Sequence, residues 1–214
     1  MILFYFIIIF AIVLYFFKKE KRIDIDVDVD NDIDVYLVSL EKDIERRNNV
    51  LSQINVDYVY AVDGNTLNLD TLEIENKNLK KGQIGCYLSH VHLLNKAIGN
   101  KNKILVLEDD AEITNDILKI EEIIKNAPED FEILFLGYNY HENHDYESVS
   151  FVYGTHGYII NSQNITKEKI DKFFPISLPY DIALPRVLKS YIVIPKVIEL
   201  NKTFMYTSNT QSIL

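Results

Sequence analysis

Cysteine is the scarcest reactive group in this chain. Cys86 stands alone among 214 residues, so no internal disulfide can staple the fold. Glycine and proline are sparse too, at seven and five, which excludes collagen-like and low-complexity sequences. Lysine and arginine total 22 against 32 aspartates and glutamates. A net charge of −10 leaves no net basic surface to displace counterions from phosphates, which argues against a nucleic-acid partner. What is present is an ordinary apolar share, enough at this length for one domain with a substantial core.

Apolar residues are first massed at the amino terminus. Residues 2–17 hold no charge and are closed by Lys18-Lys19-Glu20-Lys21-Arg22. As a helix they would span about 24 Å, short of a ~30 Å hydrocarbon core and suited to a thin membrane. No basic segment precedes the run and no small-residue cleavage site follows it, so it reads as an uncleaved single-pass anchor, residues 1–22. That predicts a protein of an endomembrane or of the cytoplasmic membrane face. The basic flank on the carboxyl side would leave the rest of the chain in the cytoplasm. Lumenal placement would instead make Asn164-Ile165-Thr166 and Asn201-Lys202-Thr203 glycosylation acceptors. Residues 23–32 follow as an alternating Asp/Ile/Val comb. Turning glycines and mixed oxygen ligands are absent from it, so it reads as an acidic spacer and not a calcium loop. Residues 33–214 are then the functional domain.

Within that domain the organising stretch is Lys103-Ile104-Leu105-Val106-Leu107-Glu108-Asp109-Asp110. Its unbroken apolar run suits a strand buried on both faces of a parallel sheet. In an open α/β sheet ligands gather at the carboxyl ends of strands, where these acids would lie. Alternation along an extended chain would put Glu108 and Asp110 on one side, about 7 Å apart at the backbone. Their mutual repulsion, about 2 kcal/mol at an effective dielectric near 20, would become attraction for a divalent cation.

Strands and helices alternate around it. Val35 to Leu40 reads as a strand, Glu41 to Ile54 as a helix carrying Arg46 and Arg47, and Val56 to Val62 as a strand ending in the turn Asp63-Gly64. An Asn-rich connection leads to Gly82-Gln83-Ile84-Gly85-Cys86-Tyr87-Leu88-Ser89-His90. There Ile84, Leu88, Val91, Leu93 or Leu94, and Ile98 form a helical stripe. Gly85 and Ser89, four apart, share a face where something could approach the backbone, while pattern alone makes His90 a buried, hydrogen-bonded histidine. Asn115 to Asn126 reads as a helix and Phe131 to Leu136 as a buried strand. His141-Glu142-Asn143-His144-Asp145 reads as a solvated loop despite its metal-like spacing. Strands at Phe151 to Tyr153 and Gly157 to Ile160, a helix at Ile165 to Phe173, a short helix after Pro179 and a strand near Tyr191 to Ile194 complete an α/β domain.

The same residues resemble glycosyltransferase family 25, which includes lipooligosaccharide and collagen hydroxylysine galactosyltransferases. The resemblance runs through Val35-Tyr36-Leu37-Val38-Ser39-Leu40 with Arg46-Arg47, and through Ala61-Val62-Asp63-Gly64 and Gly82 to His90. It continues in Val106-Leu107-Glu108-Asp109-Asp110, Thr155-His156-Gly157-Tyr158-Ile159-Ile160 and Leu178-Pro179-Tyr180-Asp181 with Leu184-Pro185. One departure is Ser208-Asn209-Thr210, where the family carries Ser-Asp-Thr.

The resemblance implies a GT-A-type fold with a mainly parallel central sheet, a UDP-sugar donor, Mn²⁺ or Mg²⁺, and inverting transfer of a hexose to a glycan or protein hydroxyl. It implies metal ligands among Glu108, Asp109 and Asp110, and Asp181 as catalytic base with His156 in reserve. Arg46, Arg47, Asp63, Gly85, Ser89 and His90 would then lie on the donor side. Two other readings compete. One is an inactive, membrane-tethered glycan-binding relative. The other is a phosphoacceptor receiver domain, weakened because the strand Phe131 to Leu136 ends in Gly137-Tyr138 and not in a nucleophilic aspartate.

Overall fold

A computed structural model describes residues 33–141 and 148–204. The anchor and spacer (1–32), most of the His141 to Asp145 segment, and Ser208-Asn209-Thr210 lie outside the described residues. Among the described residues no helix is long and apolar enough to cross a membrane.

In chain order the elements are β1 (Ile33–Val38), α1 (Ile44–Gln53), β2 (Tyr58–Tyr60), α2 (Lys81–Ala97), β3 (Lys103–Glu108), β4 (Ala111–Ile113), α3 (Ile120–Asn126) and β5 (Ile133–Gly137). Then come β6 (Tyr140–His141), β7 (Ser148–Val149), β8 (Val152–Tyr153), β9 (Gly157–Ile160), α4 (Lys167–Asp171), α5 (Tyr180–Val187), β10 (Ser190–Ile192) and β11 (Ile198–Leu200). Seven strands make one sheet in the order β2-β1-β3-β9-β5-β10-β7, and two small pairs, β4 with β11 and β6 with β8, lie outside it.

The expected mainly parallel sheet is mixed at its centre. β3 pairs in parallel with β1 but antiparallel with β9, and β9 is antiparallel to β5. Parallel neighbours need a crossover, usually helical. The described part of the connection from β5 to β9 contains short strands and no helix, so the chain returns antiparallel.

The alternation of β3 sorts the core. Ile104 and Val106 face one hydrophobic cluster with Ile84, Tyr87, Val91 and Leu94 of α2. Leu105 and Leu107 face a second, with Val50 of α1 and Ile123 and Ile124 of α3. All four strand residues are fully buried, each stabilising the fold by about 2 kcal/mol relative to exposure. Glu108 is next in the alternation of Ile104 and Val106, so it emerges on the α2 side.

Boundaries moved where local hydrogen bonding intervened. α1 starts at Ile44 because Asp43 N donates to Leu40 O in a preceding turn. Residues 115–119, expected to be helical throughout, form a 3₁₀ turn capped by Thr114 before α3 begins. On α2 the buried hydrophobic set is Ile84, Tyr87, Val91, Leu93, Leu94 and Ala97, with Ile98 exposed past the helix end. Asn164 Nδ2 donates to Phe131 O at 2.8 Å and Thr166 caps α4, so this sequon is engaged in holding the fold.

Candidate active site

The carboxyl end of β3 collects most of the acids singled out in the sequence. Glu108 N donates to His156 O, which fastens the start of β9 to the end of β3. Its carboxylate accepts from Thr155 Oγ1 and stands 3.2 Å from His90 Nε2. Burial alone would push this carboxyl up, but His90, His156 and Thr155 outweigh it and hold Glu108 near 2. The strand ends at Glu108 and the chain turns through Asp109 and Asp110. The expected strand alternation, which would have run on to Asp110, therefore stops two residues short.

Arg46 of α1 closes that turn. Its Nε donates to Asp109 Oδ1 at 2.7 Å, its Nη2 to Asp110 Oδ2 at 3.0 Å, and its Nη1 to Phe204 O at 3.2 Å. Asp109 is thus bound to Arg46. Asp110 keeps its second oxygen, Oδ1, buried and without a hydrogen-bond partner. Burial and the neighbouring Glu108 charge, only partly offset by Arg46, push its carboxyl up to about 7.

One atom each from Glu108, Asp110 and His156 lie within 4.8 Å of one another. His156 Nε2 also meets Asn139 Oδ1 at 3.1 Å, and burial lowers the imidazole pKa, favouring the neutral form that a metal ligand must have. The turn that delivers it needs Gly154, whose φ of +81° is strained for other residues. A Cβ there would meet His156 Cε1 at 2.8 Å. The set matches a divalent cation: two carboxylates, one neutral imidazole, and an acceptor oxygen that lacks any donor.

Asp181 sits in the first turn of α5 and shares the neighbourhood. Gly154 N donates to its Oδ2 at 3.2 Å and Ile182 N to its Oδ1 at 3.0 Å. Burial, with the Glu108 charge adding to it, raises this carboxyl above its ordinary range.

The remaining predicted residues divide differently. Arg47 Nη2 donates to Leu40 O at 2.8 Å and to Glu41 O, tying down the loop between β1 and α1. Asp63 pairs with Lys42 Nζ at 2.7 Å and accepts from Asn65 N, so it caps a 3₁₀ turn. Gly85 and Ser89 do admit a close backbone approach, and the visitor is the 62–64 loop of the chain itself. A Cβ on Gly85 would meet Gly64 N and Val62 O at 2.6 Å, and Ser89 Oγ accepts from Val62 N at 2.8 Å. His90 is fully buried, with Nδ1 2.8 Å from Tyr158 OH and its ring stacked on Tyr180 at 4.5 Å. The structure thus puts His90 beside Glu108, and Gly85 and Ser89 beneath the loop that follows β2.

Thr155, Tyr158, Tyr180 and Asn139 join the site without having been assigned roles from sequence. Three of them lay within the quoted motifs. Their roles depend on partners at least 17 residues away.

Residues 32–174 match the profile of glycosyltransferase family 25, described as LPS biosynthesis protein. The chain belongs to glycosyltransferase family 25. Among its family 25 relatives, human procollagen galactosyltransferase 2 is 28% identical over 184 residues, an alignment covering 71% of this chain and 29% of the relative. A glycosyltransferase 25 family member from Aedes aegypti is 24% identical over 188 residues, covering 73% and 31%. The chain therefore spans under a third of the length of these curated relatives. A glycosyltransferase involved in glycosylating the major capsid of PBCV-1 superposes with a TM-score of 0.44 at 9% identity. That match covers 78% of this chain and 91% of the other, too loosely to add to the assignment. The family 25 match contains Arg46, His90, Glu108 to Asp110 and His156, whereas Asp181 lies beyond it.

Proposed function

We propose that this family 25 domain, on a GT-A-type scaffold, transfers a hexose from a UDP-sugar to a hydroxyl of a glycan or of a hydroxylysine-bearing protein, with inversion. Galactose and glucose are the preferred donors. One observation carries the reading. Two carboxylates and a neutral imidazole converge at the carboxyl end of β3, with Asp110 Oδ1 buried and lacking a donor.

Mn²⁺ or Mg²⁺ held by Glu108, Asp110 and His156 would neutralise the charge that builds on the departing diphosphate. Arg46 offsets the charge of Asp109 and one oxygen of Asp110, which limits repulsion in the acidic turn. Thr155 holds the Glu108 carboxylate by a hydrogen bond, with His90 Nε2 3.2 Å from it. Asp181 takes the proton of the acceptor hydroxyl as that oxygen bonds to the anomeric carbon and the bond to the diphosphate breaks. Its raised pKa is the direction a base working near neutrality needs, and Gly154 N–H orients it. His156 then belongs with the metal ligands and not in reserve as a base. The apolar run of residues 2–17 supports membrane attachment from sequence alone.

The test is a panel of UDP-sugars with and without Mn²⁺, using wild type and Asp110→Ala. Metal-dependent release of UDP should vanish in the variant while its circular dichroism persists. Unchanged turnover would remove the acids from the reaction. Glycan binding with no turnover by the wild type would favour the inactive relative.

A further inference from the structure

The α2 helix brings a second set of ligand atoms to Glu108. Cys86 and His90 are four residues apart, so successive turns present them on one face. The alternation of β3 sends Glu108 to that same side. One ligand atom from each of Cys86, His90 and Glu108 lies within 4.8 Å of the others.

His90 supplies the independent observation. It is fully buried, and its Nε2 makes no hydrogen bond, its nearest charged neighbour being Glu108 Oε1 at 3.2 Å. Buried polar atoms are nearly always satisfied, so an imidazole nitrogen left this way beside a carboxylate, in a residue clustered with a thiol, points to a ligand. Its other nitrogen, Nδ1, meets Tyr158 OH at 2.8 Å, and Tyr158 OH meets Tyr180 OH at 3.2 Å. Metal-binding histidines are commonly oriented through the ring nitrogen that does not bind the ion. Thr155 plays the same part for Glu108. Cys86 and Glu108 are each half-buried.

We propose that Cys86, His90 and Glu108 form a second cation site, suited to a thiophilic divalent ion such as Zn²⁺, that competes with the Glu108–Asp110–His156 set for Glu108. Sulfur, nitrogen and oxygen with a fourth position open to water is a donor set for zinc. Two carboxylates with one imidazole suit the harder manganese or magnesium. On entry of the ion the Cys86 thiol releases its proton to solvent. Glu108 is common to both sets, so zinc in this seat draws on the carboxylate that the other set needs. Only that inhibitory consequence rests on the proposed function.

Co²⁺ is a spectroscopic stand-in for Zn²⁺ and tests the site on the full metal-free chain. Wild type should develop a thiolate-to-cobalt charge-transfer band that saturates at one equivalent and is erased by Zn²⁺. The band should be absent from Cys86→Ser. Zn²⁺ should inhibit Mn²⁺-supported turnover of wild type at a concentration about tenfold or more below that needed for the variant. Cys86→Ala, checked by circular dichroism, replaces the serine variant if that one does not fold. Cobalt binding without the charge-transfer band, or equal sensitivity of wild type and variant to Zn²⁺, overturns the proposal. The band needs no sugar donor, so the two readings fail separately. A band without turnover sinks the transferase reading alone, and turnover without a band sinks this site alone.

Discussion

Arg46 Nη2 stands 3.0 Å from Asp110 Oδ2, while the other oxygen of that carboxylate is buried and unbonded. One guanidinium thus gathers the acidic turn from a helix 64 residues earlier in the chain and still leaves one oxygen for a cation. The planar fork of arginine, engaging Asp109 and Asp110 together, is what makes this possible.

Replacing Arg46 by Met should therefore be costly. It leaves two buried carboxylates without their counter-charge, a loss of about 3–5 kcal/mol in urea unfolding at a pH above 7, where Asp110 is ionised. Lys should recover only part of it, since a point charge cannot hold both acids at once. Wild-type stability in Arg46→Met would show that the acids are neutral or solvated in the folded protein.

The raised Asp110 carboxyl predicts a pH dependence of the metal-free protein. Its folded pKa of about 7 lies above the ordinary value of 3.8, so the folded state holds this proton more tightly than the unfolded chain. The associated stability is complete below about pH 4 and is lost as pH rises through about 7. Melting temperature should fall between pH 5 and 8 by more in wild type than in Asp110→Asn. Mn²⁺ should oppose the loss above pH 7. Parallel melting curves for the two proteins would contradict the assignment.

Gly85→Ala should disturb the site from a distance. The added methyl meets backbone at 2.6 Å on two sides, at Val62 O and Gly64 N, where no side chain can swing aside. A loss of about 1–3 kcal/mol is expected, with shifted amide resonances in the 62–66 loop. Unperturbed resonances would mean that the loop moves freely away from α2.

Asp181→Asn keeps the shape of the side chain and removes its basicity. Turnover should fall by about 10²–10⁴-fold with UDP-sugar affinity nearly unchanged. Equal losses in both would make the residue a donor contact.

Much of this site could be read from the chain itself. The run Ile104 to Leu107 announces a buried strand, and the three acids that follow can only emerge at its end. His90 on a long apolar helix is expected to be buried, and it is. The sheet's mixed centre was not legible, because the direction in which β9 pairs depends on how the chain returns from β5 and not on the residues of β9. The grip of Arg46 on Asp109 and Asp110 was hidden for the same reason: α1 and β3 carry no mark of each other until they are packed. Gly85 and Ser89 were legible as a place of close approach, but not as one occupied by the chain's own 62–64 loop.

Residue order alone determined that an apolar strand would end in Glu108-Asp109-Asp110 and that Cys86 and His90 would share a helix face, because both follow from local backbone periodicity. Tertiary structure alone decided which acid Arg46 neutralises, which atom of Asp110 is left bare, and that His156 and Asp181 meet the acids at one place. Those outcomes depend on contacts between segments tens of residues apart, and only the packed sheet brings them within reach.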